Sequence, residues 1–336
     1  MKARDKQLLE LELRKLPSII LNAGDDAVKK FLEFFTASIR NKNTRLAYAR
    51  AIGQFFMWCE GRSLNLFNIQ PVTVAAYIEQ HEGSPPTVKQ HLSAIRQLFD
   101  YLLIGQIVPS NPASPVKGPK HVVSKGKTPV LSAEEARILL ESIDTASLIG
   151  LRDLALISIT LFSFARISAV LGMRVSDFFR AKKRFWIRLH EKGGKFHEVP
   201  LHDEAKQNIL QYIAAARIGE QKKSHLFRTI RGQSKKLSER VLTRTEAFRM
   251  VKRRCKAAGL PANICNHSFR ATGITVYLEN QGELEHAQFI AGHESPSTTK
   301  LYDRRKENIA MSEIEKIKFQ INVKSQNGRV VSALNG

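Results

Sequence analysis

Cysteine is scarce: three in 336 residues cannot staple a secreted scaffold, and Cys59, Cys255 and Cys265 share no metal-ligand spacing, so all three are read as reduced thiols. Long apolar runs are missing too. The longest candidate, Leu154 to Ala165, is interrupted by Ser and Thr and falls short of the roughly 20 apolar residues a membrane span needs. The first residues, Met1 to Lys6, are charged, and Leu8, Leu9, Leu11 and Leu13 follow with acids between them, which is no signal-peptide core. A soluble, cytoplasmic chain with no membrane attachment is expected. Acid is the third shortage, with 31 Asp and Glu against 53 Lys and Arg and a formal charge of +22. At 43% apolar content the chain is nonetheless globular rather than disordered.

The basic excess is uneven. Up to Lys120 there are 16 basic and 10 acidic residues; beyond it there are 37 and 21. Between Lys222 and Lys256 alone, 13 Lys or Arg face only Glu239 and Glu246. A polyanion is the economical partner, because a basic surface gains by displacing the counterions of duplex DNA.

Apolar spacing divides the chain. Val28, Phe31, Leu32, Phe35 and Ile39 fall on one helical face, and Leu46, Ala49, Phe56 and Met57 continue in a second helix opened by Asn43-Thr44. Val72 to Gln80 and Pro86 to Tyr101 supply two more. Four prolines between Pro109 and Pro119, each lacking an amide donor, then mark a linker. Ser132 and Glu135 form a capping box for a fresh start. Helices are expected at Ala133 to Ile143, Leu151 to Phe164, Glu204 to Ala215, Arg244 to Ala258, Ser268 to Glu279 and Leu284 to Ile290. The only convincing strands are Phe185 to Leu189 and Phe196 to Leu201, joined across Gly193-Gly194. The expected fold is mainly α with a small β-hairpin or sheet. Its parts are an extension over 1–24, a helical DNA-binding domain over 25–115, a Pro- and Lys-rich linker over 116–130, an α+β catalytic domain over 131–322 and a frayed tail over 323–336.

Three stretches of the second part share a chemical theme. Phe164-Ala165-Arg166-Ile167-Ser168 puts an arginine at the end of an apolar helix, where a guanidinium is costly to bury without an anion. Asn266-His267-Ser268-Phe269-Arg270 sets His and Arg three apart, on one face of a starting helix near its positive dipole end. Ala291-Gly292-His293 is followed nine residues later by Tyr302. Singly each has a dull explanation: an ion pair, a helix cap, a half-buried aromatic. Jointly and in this order they resemble the tyrosine recombinase, or phage integrase, family over about Leu131 to Ile317, with the N-terminal helices resembling its core-binding domain.

The resemblance implies a catalytic set of Arg166, Lys192, His267, Arg270, His293 and Tyr302. Lys195, on the other side of the glycine turn, rivals Lys192, which occupies the Lys-Gly-x-Lys position. One departure concerns Arg166: family members often carry an acid three residues on, where this chain has Ala169. The implied reaction breaks and rejoins DNA. Two arginines grip the non-bridging oxygens of a phosphodiester, Tyr302 attacks as His267 takes its proton, Lys192 protonates the leaving 5′ oxygen and His293 bonds the same phosphate. A 3′-phosphotyrosyl link conserves the bond energy, so no cofactor and no metal are expected. DNA contacts are assigned to Thr44, Arg45, Tyr48, Lys89 and Arg96 in the first domain, and to Lys235, Lys236 and Arg244 in the second. The implied partners are double-stranded recombination sites and a homotetramer formed on DNA by exchange of a C-terminal helix, Met311 to Gln320, whose Ile314, Ile317 and Ile321 make an apolar stripe. A type IB-like topoisomerase and a decayed, DNA-binding regulator are the alternatives.

Overall fold

The computed structural model describes residues 16–121, 126, 128–181, 183–191, 196–231 and 236–303, with no cis peptide bond. The chain divides into two compact units between Val122 and Val123. Helices dominate both.

The first unit contains α1 (Ser18–Leu21), α2 (Asp25–Glu33), α3 (Lys42–Glu60), α4 (Pro71–Glu79) and α5 (Pro85–Ile104), with one π-helical stretch, Phe34–Ser38, prolonging α2. The signal for α3 lies two residues upstream of its expected cap: the Asn41 side chain accepts from the amides of Asn43 and Thr44. Pro71 and Pro85 sit in the first turns of α4 and α5, where the missing N–H has no intrahelical partner to lose. Aromatic rings fill the core, with Phe34, Phe35, Phe55, Phe56 and Phe99 at or near zero exposure. The packed unit begins upstream of the expected start at 25, because Ile19 and Ile20 are buried in the same core. It also extends into the proline-rich segment. Val108, Ala113 and Val116 are buried there, and Arg96 Nε donates to the Ala113 carbonyl at 2.9 Å.

The second unit contains α6 (Ala133–Glu141), α7 (Leu148–Ser163), α8 (Ile167–Gly172), α9 (Asp203–Ala216), α10 (Arg244–Ala257), α11 (Asn266–Glu279), α12 (Leu284–Ala291) and α13 (Pro296–Lys300). The expected capping box is present, Ser132 Oγ accepting from the Glu135 amide at 3.1 Å and Glu135 from the Ser132 amide at 2.8 Å. The central helix is α7, buried along nearly its whole length and packed against both α9 and α11. Its two buried charges are resolved by pairing. Asp153 accepts from Arg152 Nη2 at 2.7 Å through one oxygen and from Arg254 Nη2 at 2.9 Å through the other.

Strands β1 (Phe178–Ala181), β2 (Arg184–His190) and β3 (Phe196–Pro200) form one antiparallel sheet in that order, and β4 (Arg228–Ile230) with β5 (Leu237–Val241) forms a second. The β2–β3 pair is the expected hairpin, with Ile187 opposite Val199 and both fully buried. The other three strands are additions to the expectation. Four residues in β1 and three in β4 are too few to show a period, and Leu-Ser-Glu-Arg-Val in β5 is too polar to announce itself.

Candidate active site

The turn between α7 and α8 presents the first arginine. Ser163 ends α7, Phe164 adopts a left-handed backbone with φ 53°, and Arg166 becomes the residue immediately before α8. A left-handed phenylalanine is costly, so the turn needs external support. Arg270 supplies it. Its guanidinium donates through Nη1 to the Phe164 carbonyl and through Nη2 to the Ala291 carbonyl at 2.7 Å. Arg270 thereby ties the α7–α8 turn to the end of α12 while being only 1% exposed.

His267 and Arg270 lie in the first turns of α11, as their spacing requires. The approach of α11 to α7 is close: a Cβ on Gly273 would stand 2.1 Å from the Leu161 carbonyl oxygen. At the end of α12, Gly292 takes φ 59° and turns the chain so that His293 points back toward this cluster. The His293 amide bonds the Gln288 carbonyl, and Gln288 Nε2 donates to the His293 carbonyl at 3.1 Å.

Tyr302 closes the group. Its hydroxyl lies 3.1 Å from His267 Nε2, and its ring stacks on His293 at 5.9 Å between centroids with 7° between planes. Thr275 Oγ1 of α11 donates to the Tyr302 carbonyl at 3.2 Å, and the Tyr302 amide bonds the Thr299 carbonyl. The side chain is 8% exposed. Five of the six expected catalytic residues therefore come together: Arg166, His267, Arg270, His293 and Tyr302. Lys192 and its rival Lys195 lie outside the described residues.

Burial and the two guanidinium charges set the protonation states. His293 is pushed down to about 3, first by burial and then by Arg270 and Arg166. His267 is shifted below its ordinary value for the same reasons, although it keeps some solvent exposure. Both imidazoles are neutral near pH 7. In the tautomer protonated at Nδ1, His267 Nε2 accepts from the phenol, and the hydroxyl of buried Thr299, 2.8 Å from His293 Nδ1, fixes that ring's orientation. Arg270 is lowered to about 10 by burial and by Arg166, with Tyr302 and Glu191 opposing.

Two contacts here were not visible in the sequence. Thr299 was one of several hydroxyl residues in a row. Glu191, whose Oε2 accepts from Arg166 Nη1 at 2.8 Å, is 25 residues away from it. No local spacing signals a pairing made across the β2 strand. Among the described residues, no group of three or more His, Cys, Asp or Glu is placed to hold a metal ion.

The expected DNA-binding residues divide by what their polar groups already do. Tyr48 is buried, its hydroxyl 3.0 Å from Ser93 Oγ and accepting from Gln97 at 3.1 Å. Arg45 donates twice to the Ile39 carbonyl, at 3.1 and 2.7 Å, and Arg96 holds the carbonyls of Ala113 and Val116. These three have structural work inside the first unit that their positions on helical faces did not disclose. Thr44 is half-buried in the first turn of α3. Lys89, Lys236 and Arg244 are exposed, and Lys235 lies outside the described residues.

Comparison with known proteins covers both units of the chain. The description "Phage integrase family" matches residues 129–308, and "Phage integrase, N-terminal SAM-like domain" matches residues 28–104. The chain belongs to the phage integrase family of tyrosine recombinases, enzymes of site-specific DNA recombination. Tyrosine recombinase XerC of Leptospira interrogans is 27% identical over 293 residues, covering 86% of this chain and 91% of the relative. Tyrosine recombinase XerD of Lacticaseibacillus casei is 25% identical over 266 residues, covering 78% and 87%. Among solved structures, XerH site-specific recombinase in a post-cleavage complex with palindromic difH substrate shares the fold at a TM-score of 0.69 and 19% identity, covering 89% of this chain and 96% of that one. A lambda integrase dimer bound to a COC′ core site shares it at 0.60 and 18%, covering 83% and 94%. No helix among the described residues is long and apolar enough to cross a membrane.

Proposed function

We propose that this recombinase cuts DNA by attack of the Tyr302 hydroxyl on a phosphodiester, leaving a 3′-phosphotyrosyl link and a free 5′ hydroxyl. The observation that carries the reading is the hydroxyl of Tyr302 at 3.1 Å from His267 Nε2, beside two guanidinium groups drawn from different elements. His267 Nε2 takes the phenolic proton as the oxygen attacks phosphorus. Arg166 and Arg270 stabilise the added charge on the non-bridging oxygens, and His293, held neutral, donates to the same phosphate. Lys192 protonates the departing 5′ oxygen. Rejoining reverses these transfers, with the 5′ hydroxyl of another strand attacking the tyrosyl phosphate. Energy is conserved in the ester, so neither nucleotide nor metal is consumed.

The complex works on two duplex sites as a homotetramer assembled on the DNA. A fold neighbour of this chain is solved as "a lambda integrase tetramer bound to a Holliday junction", with a TM-score of 0.59. The helix expected over Met311 to Gln320, through which subunits exchange contacts, lies outside the described residues. Lys89, Lys236 and Arg244, with Lys235 and Thr44, contact the duplex.

Incubating the purified chain with a pool of nicked duplexes of randomised sequence, labelled on the strand that retains the 3′ phosphate, tests the assignment. A labelled band that survives denaturing electrophoresis at protein mobility is expected, and Tyr302→Phe abolishes it. An equal yield from Tyr302→Phe would refute the nucleophile.

A further inference from the structure

Arg166 has no carboxylate on its own helix. The residues that follow it in α8, Ile-Ser-Ala-Val-Leu-Gly, offer none, and Ala169, one turn on, is buried with a methyl that accepts nothing. The carboxylate it finds comes from another element. Glu191 directly follows β2, and its Oε2 accepts from Arg166 Nη1 at 2.8 Å. The partners are unequally exposed, Arg166 at 41% of its side chain and Glu191 at 12%. An ordinary surface pair is two mobile chains in water and fixes little. Here the acceptor is anchored by burial, while the guanidinium keeps open edges.

Two further features mark the carboxylate. Its second oxygen, Oε1, is buried without a hydrogen-bond partner among the described residues, a cost that a merely structural pair avoids. The Asp153 carboxylate shows the contrast, with both oxygens accepting from arginines. Glu191 is also the acid whose charge, together with Tyr302, favours the cationic form of Arg270 against the repulsion of Arg166.

We infer that Glu191 is the positioning residue of Arg166. Its carboxylate holds one edge of the guanidinium so that the remaining N–H groups meet the phosphate. The inference rests on the phosphotyrosyl reading above. Without this anchor, Arg166 is a long side chain repelled by Arg270 and free to swing away from it. A carboxylate cannot donate to a phosphate, so Glu191 acts through Arg166 and not on the DNA.

The test compares single-turnover adduct formation, on a duplex selected from the randomised pool and held at saturation, for the parent, Glu191→Gln, Glu191→Asp, Arg166→Ala and the double variant Glu191→Gln/Arg166→Ala. Glu191→Gln is expected to slow adduct formation about 10- to 100-fold, the order of loss that a misplaced reacting group causes. Affinity for the duplex and the thermal midpoint stay close to the parent values, and Glu191→Asp restores part of the rate. In the Arg166→Ala background the Glu191→Gln change has no further effect, because residues that act as a unit are not additive. A parent-like rate, or the same loss in both backgrounds, would overturn the inference. A second readout needs no DNA: the guanidinium 15N signal of Arg166, assigned by its disappearance in Arg166→Lys, is slow-rotating in the parent and becomes averaged in Glu191→Gln. If the parent yields no Tyr302-dependent adduct, the phosphotyrosyl reading fails. The nitrogen spectrum then still decides, and an unchanged Arg166 signal in Glu191→Gln would overturn the positioning role.

Discussion

Arg166, Arg270 and His293 are each held by a partner outside the group, and His293 illustrates what that holding is for. Burial among cations keeps the ring neutral, with its pKa at about 3, so one nitrogen carries a proton and the other accepts. Which nitrogen does so depends on Thr299, whose hydroxyl lies 2.8 Å from Nδ1. A hydroxyl rotates, so it can satisfy Nδ1 as donor and leave Nε2–H for a phosphate oxygen. Replacing Thr299 by Val keeps the shape and leaves a buried ring nitrogen unpaired, at a cost of roughly 1–3 kcal/mol. Thr299→Val is therefore expected to lower thermal stability and to slow adduct formation by about tenfold or more, since 1.4 kcal/mol is a factor of ten. Thr299→Ser retains the oxygen and recovers most of both. Equal behaviour of the Val and Ser variants in a denaturing gel assay would remove Thr299 from the site. The residues proposed for the chemistry were legible because they sit in short stretches whose order is informative. Thr299 and Glu191 were not, since each is defined by a contact and not by a spacing.

At the scale of elements, the site depends on how closely α11 lies against α7. Gly273 permits that approach: an added Cβ would fall 2.1 Å from the Leu161 carbonyl oxygen and 2.7 Å from the Phe164 ring. Neither neighbour can yield cheaply. One is backbone inside a central buried helix, and the other is the left-handed residue whose carbonyl Arg270 holds. Gly273→Ala is thus expected to destabilise the chain by about 1–3 kcal/mol, as overpacking of a core does, despite the better helix propensity of alanine. Because α11 carries both His267 and Arg270, the displacement also separates them from Arg166, and adduct formation falls further than the loss of folded protein explains. Thermal melting paired with the gel assay reads both. A Gly273→Ala variant with parental stability would show that the two helices have slack. Amphipathic spacing and caps made the longer helices readable to within a few residues, and Gly193-Gly194 exposed the β2–β3 hairpin, whereas the short α1, α8 and α13 span too few residues to show a period. Gly273 gave no such sign, for within a helix a glycine required by a close crossing looks the same as one that is merely tolerated.

At the scale of the whole molecule, the formal charge of +22 makes binding to a polyanion a question of counterions before it is one of sequence. Half of that excess lies between Lys222 and Lys256, the segment that includes β4, β5 and α10. Several of its cations are already committed. Arg254 pairs with Asp153, and Arg240 pairs with Glu246 at 2.5 Å, where the carboxyl is held down to about 2 chiefly by that arginine. Composition therefore overstates the number of cations free to meet phosphates, in the same way that helical faces overstated Tyr48 and Arg96. Arg244, exposed in the first turn of α10, is the better candidate. If it contacts one phosphate, Arg244→Gln reduces the slope of log affinity against log salt by about 0.9, the value for one neutralised phosphate on duplex DNA, and weakens binding to all sequences alike. Arg240→Gln, whose charge is engaged by Glu246, changes that slope much less. Salt titrations of both variants on a random duplex and on a selected one separate the cases. A slope unchanged in Arg244→Gln would assign the grip on phosphate to other cations, and a loss confined to the selected duplex would make Arg244 a reader of bases.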